Sequence, residues 1–183
     1  MCSSDLARIG EGVQIMVDYN QALTLDEALR RGRALDEHGV CWIEEALRHD
    51  DYAGYARLKR ELDSPIQIGE NFSLTFAMHE ALERDACDYV MPDLERIGGV
   101  SGWRQAAALA NARRVPMSSH LFPEVSAHLL AATPTAHWLE YVDWANVLVE
   151  QPLALAGGMA VAPARPGNGL VWDEAAVARF AMA

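Results

Sequence analysis

Three short apolar runs in the chain each end in a carboxylate, and the carboxylates recur at a constant interval. Ile15-Met16-Val17 leads into Asp18, Val40-Cys41-Trp42-Ile43 into Glu44, and Pro65-Ile66-Gln67-Ile68-Gly69 into Glu70. Asp18 and Glu44 are 26 residues apart, as are Glu44 and Glu70, the span of one strand–helix unit. A chain of such units is confined to a parallel sheet, because successive parallel strands need a long crossover, usually a helix. In a parallel barrel the C-terminal ends of neighbouring strands converge on one face, so Asp18, Glu44 and Glu70 are expected side by side there. A lone strand-end carboxylate often caps the next helix or pairs with an arginine. Three at equal intervals, each closing an apolar strand, point instead to a shared oxygen-donor site for a hard cation such as Mg²⁺, with Mn²⁺ as a substitute.

The segments between the runs read as helices. Thr24 with Glu27 three residues on has the capping-box pattern, ahead of Leu25, Ala28, Leu29 and Leu35 at helical spacing, and Gly39 stops that helix. Residues 52–62 read as a second helix, ending before Ser64-Pro65, and residues 75–84 as a third. Tyr89-Val90-Met91 reads as a strand closed by Pro92-Asp93. Gly98, Gly99 and Gly102 read as a turn into an alanine-rich helix over 103–113, and residues 115–119 as a strand leading into His120. A short helix over 126–132 precedes His137-Trp138-Leu139, which leads into Glu140. The pattern therefore holds six strand-like segments, each with a polar residue at its C-terminal end. From Asn146 the alternation stops: Gly157-Gly158 and residues 163–169 read as loop, followed by a short strand and a helix over 173–180. The expected division is a partial barrel carrying the site over 1–145 and a tail over 146–183.

Composition narrows the function classes. With 183 residues, 51% of them hydrophobic, the chain can bury a sizeable core in one domain, yet it falls short of the roughly 250 residues of a complete (β/α)₈ barrel. A net charge of −11 argues against nucleic-acid and anionic-membrane partners, which need clustered basic residues. No apolar stretch is long enough to span a bilayer and no signal-type segment is recognisable, so a cytoplasmic location is expected. Cys2, Cys41 and Cys87 lack metal-ligand spacing and read as free thiols, the latter two buried.

Beyond the three carboxylates, Asp93, His120 and Glu140 fall at the ends of the next strands. His120 alone would read as a structural histidine. Asp93 one strand earlier changes that, because a carboxylate bonded to one ring nitrogen fixes the tautomer and leaves the other nitrogen to take a proton. Glu140 could stay protonated among so many carboxylates and donate a hydrogen bond to a developing oxyanion. His49-Asp50-Asp51 reads as a solvated loop, His128 and His137 as packing residues, and Trp42 and Trp138 as core.

Met16-Val17-Asp18-Tyr19-Asn20-Gln21, Trp42-Ile43-Glu44-Glu45, Gly69-Glu70-Asn71, Met91-Pro92-Asp93, Ile97-Gly98-Gly99-Val100, residues 116–122 and residues 126–140 closely resemble the mandelate racemase group of the enolase superfamily. The resemblance runs from about Ile15 to the C-terminus. It implies Mg²⁺ held by Asp18, Glu44 and Glu70, His120 as general base oriented by Asp93, Glu140 donating a hydrogen bond to the substrate carboxylate, and Asn20 near metal and substrate. The implied reaction is abstraction of the α-proton of a 2-hydroxycarboxylate through an ene-diolate. A sugar-acid dehydratase of the same superfamily is the second reading.

Two departures stand out. Ala46 occupies the place where the group usually has proline. Members of the racemase type also carry a Lys-x-Lys base on an earlier strand, whereas Lys59, the only lysine here, falls on a helix after the Glu44 strand. The group further has an N-terminal capping domain and two earlier barrel strands that the residues do not match. The resemblance thus implies α/β architecture as an incomplete TIM-type barrel, strands three to eight, from a homo-oligomeric parent. A third reading follows: the 183-residue chain by itself is catalytically silent.

Overall fold

In the computed structural model, which describes residues 12–181, six short strands line up in chain order in one parallel sheet: β1 (Met16–Asp18), β2 (Trp42–Glu44), β3 (Ile66–Ile68), β4 (Tyr89–Val90), β5 (Met117–Ser119) and β6 (Ala136–Leu139). Helices α1 (Leu25–Asp36), α2 (Tyr52–Glu61), α3 (Leu74–Glu83), α4 (Gly99–Arg113) and α5 (Pro123–Ala131) are the crossovers. Each strand neighbours the next, and β1 and β6 are the two edges. The sheet is an incomplete (β/α) barrel. Its central strands β2, β3 and β5 are buried along their whole length, whereas β1 and β6 are largely exposed.

The two faces of the sheet differ because side chains alternate along a strand. Ile43, Ile66, Ile68, Val90 and Met117 join the main core with the inward stripes of the helices: Ala28, Leu29 and Leu35 from α1, Tyr55 and Leu58 from α2, Met78 and Ala81 from α3, and Trp103, Ala106 and Ala110 from α4. The other face is polar and aromatic. Buried Gln67 donates to Glu44 (3.2 Å) and accepts from Ser118 Oγ (3.2 Å). Trp42, Tyr89 and His137 pack ring to ring beside it, with centroids 4.7–6.4 Å apart. The Tyr55 hydroxyl is held by both the N–H and the carbonyl of Leu47, which pins the loop after β2 to α2.

Several local expectations change. Thr24 is the N-cap of α1 but makes no side-chain cap bond. Glu27 instead binds Arg30 and Arg31 one turn on, so the capping box does not form. The glycines read as a turn lie mostly inside α4, which begins at Gly99, four residues before the expected start. Helix α5 likewise starts early, with Pro123 in its first turn, where its missing N–H costs nothing. Trp138 is 39% exposed rather than core, because it stands on the edge strand β6. Cys87 is buried, Cys41 only partly so, and Cys2 lies outside the described residues.

The tail carries more structure than its glycines suggest. Strands β7 (Ala154–Ala156) and β8 (Met159–Val161) form an antiparallel hairpin whose two-residue turn is Gly157-Gly158, both at positive φ. That geometry is the type I′ turn, which matches strand twist and requires residues tolerant of φ > 0. The expected short strand is a single bridge, Val149 to Trp172. Helix α6 (Glu174–Phe180) follows, N-capped by Asp173, which accepts from the Ala176 N–H at 2.9 Å.

Gly102 shows why α4 tolerates glycine. A Cβ there would overlap the carbonyl oxygen of Ile97, a fully buried residue in the preceding turn. Alanine at a helix interior ordinarily adds about 1 kcal/mol over glycine, while forcing an atom into a filled space costs about 1–3 kcal/mol. We expect Gly102→Ala to lower stability in urea unfolding despite the better helix propensity; a gain in stability would contradict this packing.

Candidate active site

Parallel register places the acidic residues. Asp18 at the end of β1 is directly opposite Glu44 at the end of β2. Glu70 follows β3 by two residues, beyond Gly69. One carboxylate oxygen from each of the three can be chosen so that all lie within 4.8 Å of one another. Glu44 and Glu70 are buried and Asp18 is exposed, so the cluster opens toward solvent on the β1 side.

The donors around these carboxylates are almost all neutral. Glu44 Oε2 accepts from Trp42 Nε1 at 2.8 Å and from Gln67 Nε2 at 3.2 Å. Asp18 Oδ1 accepts from the backbone N–H of Asn20 at 2.7 Å, and Glu70 Oε1 accepts from Asn71 Nδ2 at 3.0 Å. Among the described residues no lysine or arginine forms an ion pair with any of the three. Burial pushes Glu44 up to about 7, the Trp42 hydrogen bond opposing it. Its neighbour Glu45, 1% exposed, is likewise pushed up to about 7 by burial and then by the charge of Glu70. Three hard oxygen donors, two of them buried and without an arginine or lysine partner, fit a divalent cation such as Mg²⁺, whose charge would favour their ionised forms.

Beside this cluster stands a histidine held from one side. His120 Nδ1 is 2.7 Å from Asp93 Oδ2. The other oxygen of Asp93 accepts two backbone N–H groups, from Glu95 and Arg96, each at 2.9 Å. A carboxylate so anchored sets the imidazole with Nδ1 as donor, leaving Nε2 as the basic nitrogen. Nε2 lies 3.5 Å from Glu70 Oε2. Backbone pairing supports the contact, since Asp93 and His120 form a parallel bridge beyond the ends of β4 and β5.

Glu140, just past β6, is fixed at both ends. Its backbone N–H donates to Ser119 Oγ at 3.2 Å and its Oε2 accepts from the Leu121 N–H at 2.7 Å. It therefore flanks the turn that carries His120. Asn20, exposed, sits with Gln21 in left-handed backbone (φ 44° and 63°), and Glu45 does the same after β2 (φ 36°). Such conformations cost energy in non-glycine residues and concentrate at functional sites. The two loops are zipped by backbone bonds from Gln21 to Glu45 and from Leu23 to Ala46.

The structure thus brings Asp18, Glu44, Glu70, Asp93 and His120 together, with Glu140 and Asn20 on flanking turns. Lys59 is elsewhere, on α2, bound to Asp85 at 2.6 Å and to the Cys87 carbonyl at 2.9 Å. His137 packs in the aromatic face, and His128 contacts the tail through the Asn168 carbonyl at 3.1 Å. Trp42, expected only as core, also donates to Glu44. Gln67 carried a signal that went unused: a lone amide inside an otherwise apolar strand. Arg96 carries no pattern of its own, and only the fold brings it to Asn71, which the sequence shows merely as the residue after Glu70.

Comparison with known proteins agrees with this fold. The family described as enolase C-terminal domain-like matches residues 6–176. The L-talarate/galactarate dehydratase of Salmonella typhimurium is 36% identical over 183 residues, covering 96% of this chain and 46% of that enzyme. An enolase from alpha proteobacterium bal199, solved with bound magnesium, is 49% identical with a TM-score of 0.92, covering 95% of this chain and 48% of that one. An enolase from Bradyrhizobium, solved with magnesium and mandelic acid, is 40% identical with a TM-score of 0.91, over 95% of this chain and 48% of that one. The chain spans about half the length of the relatives it matches. With a family match over nearly all its residues and a parallel sheet that gathers acidic residues and a histidine at one end, the chain belongs to the enolase superfamily.

Proposed function

We propose that the parent protein catalyses Mg²⁺-dependent abstraction of the α-proton of a 2-hydroxycarboxylate through an ene-diolate, in the manner of mandelate racemase. The observation that carries the reading is the position of His120, locked through Nδ1 by Asp93 and facing Glu70 through Nε2. A proton α to a carboxylate is very weakly acidic, so an imidazole base removes it only if the charge that develops on the carboxylate oxygens is stabilised. Mg²⁺ held by Asp18, Glu44 and Glu70 would supply that Lewis-acid stabilisation. His120 Nε2 accepts the proton on one face of the substrate, and Asp93 stabilises the resulting imidazolium. Glu140, with Oε2 taken by the Leu121 N–H, has its other oxygen left for a hydrogen bond with the substrate carboxylate. Asn20, whose N–H binds Asp18, would be near metal and substrate. In this reading 1–145 is the partial barrel that carries the metal and catalytic residues, and 146–183 is a tail that closes back toward a capping domain.

The second reading is a sugar-acid dehydratase, in which the same ene-diolate expels a β-hydroxyl with His120 as acid. It is favoured by the 36% identity to the Salmonella typhimurium dehydratase. The Bradyrhizobium structure with mandelic acid, 40% identical, favours the first. Supplying the parent enzyme with mandelate and with galactarate decides between them: proton exchange at the α-carbon without loss of water supports the first, and keto-acid formation supports the second.

Three outcomes are expected. Mg²⁺ at about 100 times its Kd adds about 2.7 kcal/mol to stability by linkage, which raises the Tm of this chain by about 5–10 °C. EDTA should reverse the rise and Asp18→Asn should remove it; a Tm indifferent to Mg²⁺ would count against the metal site. In the parent enzyme, His120→Asn should abolish α-proton exchange in deuterated solvent for one enantiomer of mandelate. Equal loss for both enantiomers, or for neither, contradicts a one-face base. The 183-residue chain alone is expected to show negligible racemisation, since Lys59 is tied to Asp85 and no second base stands opposite His120 among the described residues. Robust turnover of (R)- or (S)-mandelate by the purified chain would refute this.

A further inference from the structure

We propose that Asn71, oriented by Arg96, is a positioning residue that assigns Glu70 rather than Glu45 to the divalent cation. The proposal rests on the reading of Asp18, Glu44 and Glu70 as the metal ligands. Glu45 and Glu70 are both buried carboxylates, 1% and 9% exposed, yet only Glu70 belongs to the convergent triad. Asn71 stands between them. Its Nδ2 carries two protons and spends one on each, donating to Glu45 Oε2 at 2.8 Å and to Glu70 Oε1 at 3.0 Å.

The orientation of the amide is dictated from behind. Asn71 Oδ1 accepts from Arg96 Nη1 at 2.8 Å, and the same Nη1 gives its second proton to the Glu70 carbonyl at 3.0 Å. Turning the amide over would set its oxygen against two carboxylates and its NH₂ against a guanidinium, so every one of these contacts would become repulsive. Arg96 cannot be neutralised, and its direction of donation is therefore permanent. Glu70 is thereby fixed through both backbone and side chain, with Oε2 on the side of His120. Glu45 is held by the other proton of the same amide, outside the convergent triad.

The same residue ties this arrangement to the base. The backbone N–H of Arg96 donates to Asp93 Oδ1, and Asp93 Oδ2 holds His120. One turn, from Asp93 to Arg96, thus anchors the imidazole through its first residue and the metal ligand through its last. Groups that orient a ligand in this way typically change metal affinity by about 10–100-fold when removed.

The test measures Mg²⁺ binding to the 183-residue chain by calorimetry and Mn²⁺ binding by electron paramagnetic resonance, alongside melting of the metal-free protein. Asn71→Leu and Arg96→Met should each weaken binding about 10- to 100-fold with little change in the metal-free Tm. The double variant should be no weaker than the worse single one, because the two residues act as a unit. Arg96→Lys, which keeps one charged donor, should recover most of the affinity. Glu45→Gln should leave affinity within about threefold of the parent chain, because Glu45 is not a ligand. Arg96 is exposed, so its variants decide the matter if Asn71→Leu does not fold. Unchanged affinity in Asn71→Leu and Arg96→Met, with or without a lowered Tm, overturns the proposal. So does a loss in Glu45→Gln as large as that in Asp18→Asn. Absence of Mg²⁺ and Mn²⁺ binding to the unsubstituted chain overturns the metal reading itself, and is distinguished from failure of the positioning role by that control.

Discussion

Parallel pairing in strict chain order is the constraint from which the site follows. A parallel ladder orients every strand the same way, so all C-terminal ends lie on one edge of the sheet. Asp18 and Glu44 face each other because Val17 pairs with Ile43, and Asp93 meets His120 because the β4–β5 ladder continues past both strands as a bridge. A one-residue slip would turn these side chains toward the helices and bury the wrong set. The alternation that protects against such a slip is plain in β3, where Ile66 and Ile68 enter the helix-facing core and Gln67 turns to the polar face.

Accumulating carboxylates at that edge has an electrostatic cost, and the surroundings are arranged around it. Glu44 takes hydrogen bonds from Trp42 and Gln67, Glu45 and Glu70 share Asn71, and Asp93 takes two backbone N–H groups and His120. Neutral donors satisfy lone pairs without cancelling charge. That leaves a local demand for positive charge at the Asp18–Glu44–Glu70 cluster and a strongly polarised imidazole beside it. The groups proposed to hold the metal and to take the proton thus belong to one network: acidic residues from β1 to β3 on one side, Asp93 and His120 on the other, with Glu70 touching both.

Much of this was legible in the chain because its causes are local. A strand pattern ending in a carboxylate, repeated at 26 residues, needs no tertiary information to suggest adjacent acidic groups, and Asp93 before His120 suggested an oriented base by the same rule. The failures were of three physical kinds. Local capping chemistry lost to competing partners, as when Glu27 bound Arg30 and Arg31 instead of closing a box on Thr24. Glycine was read as a breaker where close packing required it, so α4 starts at Gly99 and runs through Gly102 against the Ile97 carbonyl. Trp138 was misplaced because hydrophobicity alone does not distinguish a central strand from an edge.

The α/β alternation, the order of the six strands and the types of group that each strand delivers to its C-terminal end can be read from the chain alone. These depend on periodicity and on spacing along the chain. What holds Glu45, beside Glu44, out of the cluster is set by contacts between distant segments. Glu44 and Glu45 are adjacent and chemically identical, yet Glu44 joins the triad while Glu45 turns to Asn71. The distinction comes from strand pleat, a left-handed residue after β2 and an amide held in one orientation by an arginine 25 residues away. Such directions exist only once distant segments have packed.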